Sequence, residues 1–484
     1  MKKALSFFLS VVCFLCLLPT LSACKKIGKV YSRYEITAEF SPDNRTVAGA
    51  VKIAFENVGD GEISVLKFQL YPNAYRKDVV YKPVSTAYAQ SAYYDGESYG
   101  EIVISSVSGA KSWEIRGEEE NVLYVYLLKS LYPGDKTVLD IGFITRLARV
   151  IHRMGIAERT VNLGNFFPIL CGMKNGGFYE TLYYNVGDPF YTDCAEFTLN
   201  LVVPKDYHLS SSGKIVDEKS LETKKAYTMY AMNVRDFAVS LSKSYQTLSK
   251  KVGETQLIYA YYADETPKET LALLEESFVY FEKTFGGYPY DVYTAAEISY
   301  CGSETVYPCL LLLSDRLNKE ERIRAVVHGT AHQWWYAAVG SDQIENAWQD
   351  EGLAEYSSIL FFENYEKYGL TRESMVTAAL REYRSYYDVY GSVLGRTDTR
   401  MARHLKDFVG EYEYACLAYD KSVILFDTLR KSVGDKKFLN ALKRYYENHL
   451  YQTVTSGALI GSFEKIGLDV HGFFDGFLSG KAIL

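Results

Sequence analysis

The feature that most constrains this chain is a change of hydrophobic period near residue 250. From about Tyr31 to Ser249 apolar residues recur at every second position, the mark of half-buried strands. Tyr34-Glu35-Ile36-Thr37-Ala38-Glu39-Phe40, Ala50-Val51-Lys52-Ile53-Ala54-Phe55 and Val122-Leu123-Tyr124-Val125-Tyr126-Leu127 are examples. Turn signals such as Gly59-Asp60-Gly61 and Pro133-Gly134-Asp135 separate such runs. From Pro267 onward the period is helical. Leu271, Leu273, Leu274, Phe278, Tyr280 and Phe281 form an apolar face before the stop signal Gly286-Gly287. Further helical patterns cover about 320–338, 347–366, 371–388, 413–434 and 436–449. Two periods in sequence predict an α+β, multidomain protein, β-rich first and mostly helical second.

Inside the helical half lies His328-Gly329-Thr330-Ala331-His332. Two histidines four apart on a helix share one face, a turn apart, so both rings can reach one metal ion. With 7 His in 484 residues, random placement gives about 0.1 such pairs. The pair alone therefore leaves a plain helix as the alternative. Glu351 strengthens it, following His332 after 18 intervening residues in a second helical pattern, Trp348-Gln349-Asp350-Glu351-Gly352-Leu353-Ala354-Glu355-Tyr356. Two histidines and a glutamate are a usual ligand set of a catalytic zinc, leaving a fourth position for water or substrate.

This spacing, with the glutamate set in W-x-x-E-G-x-A-E-Y, resembles the M1 family of zinc aminopeptidases from Val326 to Tyr356, including Gln333-Trp334. The resemblance implies one Zn2+ held by His328, His332 and Glu351, and a peptide N-terminus as substrate or ligand. It implies a β-rich N-terminal domain over 24–250, carried also by Cys194–Pro204 and Val234–Ala238. A mostly helical, thermolysin-like metallopeptidase domain over 251–484 follows, without the large C-terminal helical domain of many relatives. Glu355, one turn beyond Glu351, is then a group that orients a ligand histidine or an ordinary exposed glutamate.

Three further positions are read through the same resemblance. The family binds the substrate's amino terminus with a glutamate on a Gly-x-Met-Glu-type strand. Here the region is Gly302-Ser303-Glu304-Thr305-Val306-Tyr307-Pro308. Anchoring on Tyr307-Pro308 puts Val306 at the glutamate position. Anchoring on Gly302 keeps Glu304, and a two-residue shift preserves the strand face a side chain occupies. A family tyrosine that assists the tetrahedral intermediate matches Tyr419 in Tyr419-Asp420-Lys421-Ser422, with Ser in place of Gly. With 43 tyrosines in the chain, that match rests on the Val423, Leu425 and Leu429 pattern behind it. The third position is the departure. The family's H-E-x-x-H carries its general base directly after the first histidine, and here that position is Gly329.

A positioned acid or base contributes about 10²–10⁴-fold, roughly 3–5 kcal/mol of barrier. Glycine supplies none of it, and it costs about 1 kcal/mol in a helix relative to alanine. Three readings follow: a non-catalytic relative that keeps zinc, a hydrolase whose base is Glu304 or Glu355, or a surface peptide-binding or scaffold protein.

The N-terminus supplies the expected address. Met1-Lys2-Lys3 is a basic start, Ala4 to Leu18 an apolar run, and Leu21-Ser22-Ala23-Cys24 a small-residue close. The last four resemble a bacterial lipobox, which implies a signal peptide over 1–23 and lipid on Cys24, hence an extracytoplasmic, membrane-anchored protein. An uncleaved anchor is the alternative. Cys171, Cys194, Cys301, Cys309 and Cys416 remain, an odd number that does not indicate a disulfide framework, although Cys301 and Cys309 could pair. The net charge of −7 and the lack of Lys/Arg clusters argue against nucleic-acid binding.

Overall fold

The computed structural model describes residues 30–395 and 397–484; the leader and Cys24 lie outside the described residues. The strand Ser32–Ser41 alternates as its sequence does, turning Tyr34, Ile36, Ala38 and Phe40 inward. It sits inside a seven-stranded sheet, antiparallel to Thr46–Glu56 and parallel to Ala195–Pro204. Two four-stranded sheets accompany it, one of them containing Val122–Leu131.

The second half is built on a five-stranded sheet in the order Gln246–Val252, Thr255–Tyr261, Val292–Ile298, Leu310–Ser314, Glu304–Tyr307. Every residue of Val292–Ile298 is buried, as expected of a strand flanked by parallel neighbours and covered on both faces. The strand Glu304–Tyr307 is left at the edge, paired antiparallel with Leu310–Ser314. The expected division after residue 250 falls inside the strand Gln246–Val252, so this second sheet starts at Gln246.

The main helices are Pro267–Phe285, Lys319–Ala331, Trp348–Asn364, Arg372–Leu394, Lys421–Val433 and Asp435–His449. One expectation is corrected. The pattern over 320–338 is helical only to Ala331. Beyond it Trp334, Trp335, Ala337, Ala338 and Val339 are all buried, and Tyr336 adopts φ +133°. A run buried on every side has no apolar face whose end would mark the helix terminus. The molecule is thus α+β, with a β-rich N-terminal region and a helical C-terminal region. None of the five cysteines named above forms a disulfide, so Cys301 and Cys309 do not pair with each other. Among the described residues no helix is long and apolar enough to cross a membrane.

Gln333 and Trp334 fix this frame around the histidines. Gln333 Oε1 accepts from the Cys309 amide at 2.8 Å and its Nε2 donates to the Tyr307 carbonyl at 3.1 Å. The hairpin carrying Glu304 is thereby tied to the end of the histidine helix. Trp334 packs fully buried against Phe278 and Phe281 of the helix Pro267–Phe285.

Candidate metal centre

The helix Lys319–Ala331 starts with a capping box in which Asn318 Oδ1 accepts from the Glu321 amide and Glu321 Oε2 from the Asn318 amide. The last turn of this helix presents His328 and, at the C-cap, His332. The facing helix Trp348–Asn364 brings Glu351 to them. The same helix packs tightly on Lys421–Val433: a Cβ at Gly352 would meet Ser422 Cβ at 2.4 Å, so the residue after Glu351 must be small.

His328 Nε2 and His332 Nε2 are 2.9 Å apart, and Glu351 Oε2 lies 3.2 Å from the second and 3.5 Å from the first. The other ring nitrogens assign the tautomers. His328 Nδ1 faces Glu355 Oε2 at 2.9 Å and His332 Nδ1 faces the Trp335 carbonyl at 3.0 Å. Both partners are acceptors, so both Nδ1 atoms carry the hydrogen. Two Nε2 lone pairs and a carboxylate oxygen therefore converge on one point with no proton to share in the neutral state. A cation resolves that arrangement. Donors held about 2.0–2.2 Å from a tetrahedral ion stand about 3.3–3.5 Å apart, close to the separations observed. The three side chains are buried and form a group able to hold a metal ion.

Electrostatics agree. Burial alone would lower the imidazole of His328, but the carboxylates of Glu351 and Glu355 outweigh it and raise it well above the usual value. Glu351 is held far below the carboxylate range against the pull of burial by both imidazoles. The site concentrates negative charge that asks for a positive partner.

Gly329 does not open toward a vacant position. A Cβ built there would lie 2.3 Å from Leu311 Cδ1 and 3.2 Å from Leu311 Cγ. Leu311, itself fully buried, comes from the strand next to the edge strand and occupies the space a side chain at 329 would need.

Glu304 lines the same cleft as His328, His332 and Glu351, as do Thr305 and Val306. Its Oε2 is buried without a hydrogen-bond partner. Burial raises its carboxyl above the ordinary range despite the nearby imidazoles. Tyr419 also lines the cleft, and its ring stacks on His328 with centroids 5.7 Å apart. Tyr414 was not singled out from the sequence, yet its hydroxyl donates to Glu351 Oε1 at 3.2 Å. In an α-helix residues five apart point about 140° away from each other. The segment Ala415–Asp420 is instead a π turn, whose i→i+5 bonding brings Tyr414 and Tyr419 to one side, 5.9 Å apart. The cleft holds about 360 Å³ and takes walls from both halves, including Arg153, Tyr183, Asp188, Glu304 and Tyr414.

Known proteins resemble this chain in sequence segment and in fold. Residues 288–477 match the model of the peptidase family M1 domain. Aminopeptidase N of Haemonchus contortus is 27% identical over 172 residues, 34% of this chain and 17% of its own length. Aminopeptidase 2 of Candida albicans is 22% identical over 385 residues, 69% of this chain and 40% of its own length. The chain thus spans less than half the length of these curated relatives. Among solved structures, the M1 zinc metallopeptidase from Deinococcus radiodurans superposes with a TM-score of 0.63 at 16% identity, covering 95% of this chain and 96% of that one. A mutant of that enzyme bound to a Tyr-Ser-Ala substrate gives 0.62 at 17% identity, covering 94% and 95%. Residues 288–477 are thus similar to an M1 peptidase domain, and the chain as a whole shares the fold of solved M1 zinc metallopeptidases.

Proposed function

We propose that this aminopeptidase-like protein binds one Zn2+ through His328, His332 and Glu351, receives peptide N-termini in the adjoining cleft, and hydrolyses them strongly reduced or not at all. The observation that carries the reading is the contact of Gly329 with Leu311: the general-base position has no side chain, and its space is filled by hydrocarbon. Zinc, when bound, supplies Lewis-acid polarisation of a carbonyl and acidifies water. Glu355 holds the His328 ring through Nδ1, Tyr414 steadies Glu351, Glu304 takes the ligand's ammonium group, and the Tyr419 hydroxyl serves a carbonyl oxygen in the cleft. The Tyr-Ser-Ala complex of the Deinococcus relative's mutant supports a short peptide as the ligand.

A second reading rests on one observation, the buried, partly unpaired carboxyl of Glu304 beside both histidines. In it Glu304 replaces the missing base and the chain is a slow aminopeptidase.

Zinc stoichiometry of the purified protein and its turnover of a panel of aminoacyl reporter substrates test both. One zinc per chain with no turnover is the expected result. Zinc-dependent turnover that Glu304→Gln abolishes overturns it in favour of the second reading. The same proposal places the protein outside the cytoplasm, tethered by lipid on Cys24. Labelling cells with a clickable fatty acid should mark the native chain and not Cys24→Ser.

A further inference from the structure

Unpartnered buried polar atoms are rare in folded proteins, because each costs about 1–3 kcal/mol when it is left without a hydrogen bond. Several gather in the walls of this one cleft. Ser85 Oγ, Arg153 Nε, Glu304 Oε2 and Thr305 Oγ1 have no hydrogen-bond partner among the described residues, and all four residues line the cavity. Their chemistry is polarised. Glu304, on the edge strand, is an acceptor beside the histidines. Arg153 is a cation contributed by the β-rich half and only 9% exposed.

Arg153 is held in place without being used up. Its Nη1 donates to Asp188 Oδ1, and its guanidinium lies over the Phe190 ring at 5.1 Å. A guanidinium has five N–H donors in a rigid fork suited to carboxylates, and the Nε donor remains free. Asp188 balances the charge, and Nε remains a directional donor for a second anion. A cavity of about 360 Å³ lies near the lower limit for small-ligand sites, enough for roughly two amino-acid residues.

We infer that Arg153 is a carboxylate anchor, so that the cleft selects short peptides with both termini free, the ammonium group toward Glu304 and the C-terminal carboxylate toward Arg153. This rests on the proposed reading of Glu304 as the amine site and adds a second, opposite contact to it. A ligand so held is read at both ends, and a long polypeptide, whose next residue continues past the Arg153 position as a neutral amide, is disfavoured.

The test is calorimetric binding to the zinc-loaded full-length protein of Phe-Ala, its C-terminal amide, and its N-acetyl derivative. Phe-Ala should bind at least tenfold more tightly than the amide. In Arg153→Lys, which keeps the charge and loses the fork, that preference should shrink, and in Arg153→Gln it should vanish. Equal binding of acid and amide by the native protein overturns the inference, whether or not the Arg153 variants fold. An acid preference that survives intact in a folded Arg153→Gln overturns the assignment to Arg153. The N-acetyl compound reports on the other end. If it binds as well as Phe-Ala while the amide does not, the carboxylate anchor stands and the amine reading of Glu304 fails. No binding of any of the three at millimolar concentration overturns both.

Discussion

A side chain at position 329 and the side chain of Leu311 compete for the same space: the Cβ of the first would fall 2.3 Å from Cδ1 of the second. Glycine at 329 and leucine at 311 are one packing solution, and changing position 329 alone should fail. Gly329→Glu should lower stability by about 1–3 kcal/mol through overpacking, read as a fall in thermal midpoint, without yielding turnover. Combined with Leu311→Ala, which removes the obstructing carbons, it should recover part of that stability and yield zinc-dependent cleavage of aminoacyl reporters. Activity in the single variant would mean that Leu311 swings aside.

Glu355 reaches the metal centre only through His328 Nδ1. Glu355→Gln should therefore keep one zinc per chain and weaken its affinity about 10–100-fold, whereas His328→Ala or His332→Ala should abolish binding. Competition with a chromophoric chelator separates the two outcomes.

Tyr414 makes an equivalent prediction for the carboxylate ligand. Removing the hydroxyl that donates to Glu351 Oε1 in Tyr414→Phe leaves the ring packing intact and takes away a bond to a charged group, worth about 1.5–3 kcal/mol. Zinc affinity and the thermal midpoint of the zinc-free protein should both fall, and chelator competition with thermal melts reads the two.

Asp236 carries a pH prediction for the fold. It is fully buried between the two halves, accepting from Asn165 Nδ2 and from the Tyr336 hydroxyl, each at 2.9 Å. Burial pushes its carboxyl up to about 7 against those donors, from 3.8 in an unstructured chain. The folded state holds this proton more tightly, so the contribution to stability is complete below about pH 4 and is lost as pH rises toward 7. Asp236→Asn should reduce the drop in urea midpoint between pH 5 and pH 8. An unchanged drop would show that other groups set it.

Much of the site is local and was legible in the chain. His328 and His332 share a face because helical geometry requires it, Glu351 follows on the next helix, and Glu355 stands one turn beyond. The helix end was less legible, since the apolar run through Trp334 and Val339 is buried on all sides. Tyr414 was hidden by its spacing from Tyr419, which an α-helix would splay and only the π turn brings together. Arg153 lies far from the motif in sequence and is unremarkable among 53 basic residues.

By itself the sequence determined the two periods, hence a β-rich half and a helical half, and the three neighbouring side chains of the candidate metal centre. Backbone geometry dictates those from residues a few positions apart. Tertiary structure alone decided that Leu311 fills the place beside Gly329, that Glu304 stands on an edge strand in the cleft, and that Arg153 faces the same cavity. Each depends on strand order and register within a sheet, or on the seating of one half against the other. Those are set by the packing of the whole core, to which no short segment has access.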